Sequence, residues 1–189
     1  MKLNLATLLT LLRIALLPVL VVVFYLPYQW THFAAALVFA LAAITDGLDG
    51  WVARRFGQAS PLGALLDPVA DKLAVTFALF LLVSADPTPL MAVLGAIIVG
   101  REISVSALRE WMASMGQRAR VKVAGIGKIK TIFQMIALVM LLYREDLFGF
   151  PIYLTGQALL LLAALLTLWS GAVYLRAAWP IMRERADQP

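Results

Sequence analysis

Six apolar runs, each close to the length that crosses a bilayer, are joined by short polar turns along 189 residues. A bilayer core takes about 20 apolar residues per helix, so six crossings nearly use up the chain. Composition agrees, with 62% of residues hydrophobic and 14% charged, where soluble domains average about 45–50% and 25%. Apolar residues in unbroken runs rather than stripes predict an all-α integral membrane protein with six transmembrane helices, a single domain over 1–189. No nucleic-acid motif accompanies the net charge of +5, and the lack of cysteine excludes disulfides and thiolate metal ligands. The first apolar run continues past a signal-peptide core and holds Arg13, so it is read as a retained helix.

Turn residues mark the helix ends. The expected helices cover about 5–26, 31–56, 60–84, 90–115, 127–143 and 151–179. Tyr28 and Trp30 form an aromatic interface cluster after the first, and Ser60-Pro61 reads as an N-cap with proline at the first helical position. Pro180 is expected to stop the last helix. Basic residues give the orientation. Lys2, Arg54, Arg55, Arg118, Arg120, Lys122, Lys128, Lys130, Arg183 and Arg185 all fall on one side, and only Arg144 on the other, which predicts that both termini are cytoplasmic.

Within this apolar frame stand four aspartates. An acidic side chain at the centre of a membrane helix costs about 2.5–3.5 kcal/mol, so their placement needs a function. Asp46 and Asp49 are three residues apart and Asp67 and Asp71 four apart, so each pair shares a helix face. The helices that carry them are joined by a short turn and are expected to be antiparallel neighbours. At 1.5 Å per residue both pairs lie roughly 10–15 Å in from that turn. Four like charges at one depth call for a cation, and hard oxygen donors without His or Cys favour Mg²⁺ or Mn²⁺. Gly47, Gly50, Ala53 and Gly63 leave room there for a close helix or a ligand, and Arg54 ends the stretch in a position suited to a phosphate. In the alternative reading the carboxylates pair with Arg54, Lys72 or Arg13 and only hold helices together. The interspersed glycines argue against it.

Written out, the run is Asp46-x-x-Asp49-Gly50-x-x-Ala53-Arg54, eight residues, Gly63, three residues, Asp67, three residues, Asp71. It resembles the signature of the CDP-alcohol phosphatidyltransferase family at every fixed position. The resemblance implies a six-helix homodimer holding two divalent cations on Asp46, Asp49, Asp67 and Asp71. It also implies that CDP-diacylglycerol lies with its pyrophosphate on the metals, an acceptor hydroxyl attacks, and CMP leaves. Asp71 would add the role of general base. Asp49, Gly50, Ala53, Arg54 and Gly63 would bind CDP-diacylglycerol.

The acceptor is read from the fourth and fifth helices. Arg101-Glu102-Ile103 through Arg109-Glu110 lies inside a span, so Arg101 is expected to face a polar cavity; a Glu102–Arg109 pairing is the plain alternative. Lys128 and Lys130 open a helix whose free N–H groups favour anions. With Arg101 and Arg109 they are candidate ligands of an acceptor phosphate, or else ordinary cytoplasmic-side charge facing anionic lipid. These stretches, with Gly127-Lys128-x-Lys130-Thr131-x-x-Gln134, resemble the branch of the family whose acceptor is sn-glycerol 3-phosphate. Inositol phosphate, serine, or a cation-transport role are the alternatives. The start departs from the family pattern: Asn4-Leu5-Ala6-Thr7 precedes Thr10 and Arg13, and the first helix is given no substrate role.

Overall fold

A computed structural model describes residues 4–56, 61–115 and 124–186. Six helices form it, α1 Leu5–Phe24, α2 Thr31–Phe56, α3 Pro61–Ala85, α4 Pro89–Ser114, α5 Ala124–Tyr143 and α6 Ile152–Ala186. All but α5 are long and apolar enough to cross a membrane; in α5 the apolar part is Lys130–Tyr143. That helix has 20 residues, about 30 Å of length.

The expected Ser60 cap and the segment around Arg118, Arg120 and Lys122 lie outside the described residues. Pro61 does begin α3. At α4 the cap is Thr88, whose hydroxyl accepts from the Met91 N–H at 3.4 Å, with Pro89 at the first position. Tyr28 and Trp30 stack with ring centroids 5.7 Å apart. The turn after α5 is tight: Leu147 and Phe150 exchange backbone hydrogen bonds, and Gly149 sits at φ 81°, a conformation that favours glycine.

One expectation is corrected. Pro180 does not end α6, which continues to Ala186. Proline removes one N–H and crowds the carbonyl four residues back, at exposed Arg176. Packing on both sides bridges the defect, because Ala178 is buried with Met112 and Met182 packs on the same cluster.

The main core runs through the bundle from Leu17 and Leu20 of α1 to Leu160 and Ala164 of α6. Small residues such as Ala35, Ala74 and Ala78 are fully or nearly fully buried in it and let backbones approach, the usual device where lipid supplies no hydrophobic drive between helices. Outward faces are apolar too, with Leu37, Phe80, Val93, Leu154 and Leu165 exposed, as lipid contact requires. At Gly156 an added Cβ would lie 3.0 Å from Leu141 and 3.1 Å from Met140. We expect Gly156→Val to separate α5 from α6 and destabilise the protein by about 1–3 kcal/mol, read as a lower unfolding temperature in detergent.

Helix packing sets up the site. The short turn makes α2 and α3 neighbours as expected, yet they touch each other sparingly. Helix α1 packs far more extensively against both. A side chain from α1 therefore reaches the carboxylates carried by the other two.

Candidate active site

That side chain is Arg13, 1% exposed although charged. Its Nη1 donates to Asp46 Oδ1 at 2.7 Å and also to Asp71 Oδ1. One turn earlier on the same face, Thr10 donates to Asp67 Oδ1 at 2.7 Å. Three of the four aspartates are thus gathered by one face of α1. The guanidinium offsets only one of the two carboxylate charges it touches. The centre keeps a negative excess, and Asp46 and Asp71 remain 39% and 47% exposed.

Among the described residues no three acidic, His or Cys side chains close around a single point. The side chain of Asp49, with those of Gly50's neighbours Ala53 and Arg54, lies outside the description. The donor chemistry nonetheless fits a hard divalent cation. All donors are carboxylate oxygens, and two from different helices converge on one point, which the Arg13 nitrogen holds in this structure. Gly63 is buried on α3, whereas beside Gly47 there is open space, with nothing within 4 Å of an added Cβ. Gly47 therefore makes no helix contact among the described residues, and it does not line the cavity beside the aspartates.

Asp46 and Asp71 open on a cavity of about 250 Å³. Asp46, Asp71 and Lys72 form one wall. Glu102, Ser106 and Arg109 of α4 face them, with Thr131 and Gln134 of α5. Its size falls below the roughly 300–1,000 Å³ of drug-sized sites and suits a small polar molecule. Arg109 also lies 5.4 Å from the Tyr174 ring centroid, a cation–π contact.

The other basic residues singled out on α4 and α5 behave differently. Arg101 does not line this cavity; it donates to Ser170 Oγ of α6 at 2.6 Å, with Glu102 3.6 Å away. Lys130, also off the cavity wall, is buried and donates to Glu102. Among the described residues Glu102 thus pairs with Lys130 and Arg101, not with Arg109. The side chain of Lys128 lies outside the description.

Three signature aspartates are thus gathered by α1, and two of them line a small polar cavity within a bundle of apolar helices. The model of the CDP-alcohol phosphatidyltransferase family matches residues 3–169. The chain belongs to the CDP-alcohol phosphatidyltransferase family. A protein of Pseudomonas fluorescens named CDP-diacylglycerol–glycerol-3-phosphate 3-phosphatidyltransferase is 51% identical over 181 residues, 95% of this chain and 92% of that protein. Proteins of the same name from Escherichia coli K12 and Shigella boydii are 49% identical over 178 residues, 94% of this chain and 96% of theirs.

For a CDP-alcohol phosphatidyltransferase, the signature run says nothing of α1: Thr10 is not among the expected site residues, and Arg13 is expected only as an alternative partner of the carboxylates, a pairing the structure shows with Asp46 and Asp71. Their signal was present: two polar residues at i, i+3 in an otherwise apolar helix must face a polar interior. Lys72 was likewise noted only as a possible partner of an aspartate, and the structure puts it in the cavity wall.

Proposed function

We propose that this phosphatidyltransferase moves the phosphatidyl group of CDP-diacylglycerol to sn-glycerol 3-phosphate, giving phosphatidylglycerophosphate and CMP. The observation that carries the reading is the pair Asp46 and Asp71, which share a cavity wall with room for a small acceptor in front of them. Near-half identity to proteins named for this reaction, over almost the whole chain, supports the choice of acceptor.

Phosphoryl transfer depends on alignment and charge neutralisation more than on covalent help from the protein. Asp46, Asp49, Asp67 and Asp71 would hold Mg²⁺ or Mn²⁺, two ions by family analogy. Bound there, the metal supplies Lewis-acid neutralisation of the diphosphate charge. Asp71 accepts the proton of the acceptor's terminal hydroxyl as its oxygen attacks the diacylglycerol-bearing phosphorus. The bond from that phosphorus to the bridging oxygen breaks, and the electron pair leaves with CMP. Arg13 and Thr10 keep the carboxylates in register. Gly50, Ala53, Arg54 and Gly63 are assigned to the nucleotide end of CDP-diacylglycerol, and the acyl chains stay in lipid. Arg109, in the cavity wall, grips the acceptor phosphate; Lys128, Lys130 and Arg101 add positive potential around it.

The asymmetry of basic residues favours six crossings with both termini and the active site on the cytoplasmic side of the inner membrane. A single catalytic domain acting as a homodimer completes the reading.

An acceptor series tests it. CMP release in detergent with CDP-diacylglycerol and Mg²⁺ should be fast with sn-glycerol 3-phosphate and negligible with inositol phosphate or serine. A preference for either of the latter would reassign the acceptor. Lys130→Ala should raise the acceptor KM several-fold with little change in that of CDP-diacylglycerol. An unchanged acceptor KM would confine Lys130 to its ion pair with Glu102 and remove it from acceptor binding.

A further inference from the structure

A carboxylate in a cavity meant for a phosphorylated alcohol is unexpected, since it repels the phosphate. Glu102 is such a group, facing the wall that holds Asp46 and Asp71. Its charge is compensated from behind. Lys130 donates to Oε1, and Arg101 Nη1 lies 3.6 Å from the same oxygen. Both cations stand off the cavity wall, Lys130 at 3% exposure, while the glutamate keeps 27%. Arg101 is itself fixed by donation to Ser170 Oγ, which in turn donates to the Thr167 carbonyl at 3.0 Å. A chain of contacts from α6 and α5 thus holds one carboxylate in one orientation on α4.

A carboxylate offers about four acceptor positions on two oxygens. Both cations contact Oε1. Compensated and oriented in this way, Glu102 presents an acceptor for a hydroxyl without a full negative charge to oppose a phosphate. Simple helix stapling would not need the carboxylate in the cavity wall.

We propose that Glu102 recognises the hydroxyl of the acceptor that does not react, with Lys130 and Arg101 as its positioning residues. The assignment rests on the reading of sn-glycerol 3-phosphate as acceptor. The terminal hydroxyl of that molecule goes to Asp71 and its phosphate to Arg109, which leaves the middle hydroxyl to be bound. A hydrogen bond to a charged group gives about ten- to 150-fold discrimination against a ligand that lacks it.

The test compares sn-glycerol 3-phosphate with 3-hydroxypropyl phosphate, the same molecule without the middle hydroxyl, by kcat/KM for CMP release from the full chain in detergent. Wild-type protein should prefer glycerol 3-phosphate about ten- to 150-fold. In Glu102→Met the preference should fall to within about threefold, through loss with glycerol 3-phosphate alone, with the other acceptor used about as well as before. Glu102→Gln, nearly isosteric and still an acceptor, should lose part of the preference and guards against a folding defect in the methionine variant. Lys130→Met should lower the preference in the same sense. Equal losses with both acceptors in the two Glu102 variants, or a preference that survives them, would overturn the assignment, as would a wild type indifferent to the hydroxyl. A wild type that releases no CMP with either acceptor would overturn the transferase reading, and this assignment with it.

Discussion

Asp71→Asn should lower kcat for CMP release by about 10²–10⁴-fold while the KM for CDP-diacylglycerol stays within a few-fold. Asparagine keeps the size and one carbonyl oxygen but cannot take a proton from the attacking hydroxyl. Asp71 lines the same cavity as Arg109 and Glu102, which would hold the acceptor, so the loss should appear in turnover more than in donor binding. Asp71 also accepts from Arg13, so the variant needs a folding control, and an unfolding temperature within a few degrees of wild type would isolate the chemical effect. Asp67→Asn differs in kind: it accepts from Thr10, and its loss should weaken metal binding together with turnover. Near-normal turnover in Asp71→Asn would remove Asp71 as the base.

Arg13→Met should be the most destabilising single change in the bundle. The arginine is fully buried and bridges carboxylates on α2 and α3. Breaking a buried pair by removing one partner costs about 3–5 kcal/mol, because the remaining charge is left uncompensated. The open cavity beside Asp46 and Asp71 lets water hydrate them in part, which places the expected cost near the lower end. The effect should depend on conditions: Mg²⁺ or Mn²⁺ would compensate the same carboxylates, so the gap between variant and wild type should narrow when either ion is added. Unfolding in detergent, with and without chelator, reads both quantities. A gap unaffected by divalent ions would mean that the aspartates around Arg13 do not hold them.

Much of the bundle was legible because lipid imposes one rule on every span. The α2 range follows from its run of apolar residues, and α3 begins at Pro61 where proline at a first helical position says it should. The spacing of the aspartates likewise carries its own meaning, since i, i+3 and i, i+4 fix a shared face whatever the neighbours are. The packing was not legible in that way. Nothing local tells α1 to lie against both α2 and α3, and the contacts that matter span 57 and 58 residues, from Thr10 to Asp67 and from Arg13 to Asp71. No site residue was expected on α6, yet Ser170 and Tyr174 meet Arg101 and Arg109. Single polar residues in an apolar run reveal that they need a partner but not which one. Pro180 shows the converse, a local rule overridden by burial of Ala178 and packing of Met182.

The central claim is that carboxylates from α2 and α3 converge on divalent ions to drive transfer of a phosphatidyl group. CMP release from CDP-diacylglycerol and sn-glycerol 3-phosphate, measured before and after chelation, tests it most directly. Release should require the acceptor, stop when the ions are stripped, and return when Mg²⁺ or Mn²⁺ is restored. Turnover that persists in chelator, or none under any condition with folded protein, would contradict the account.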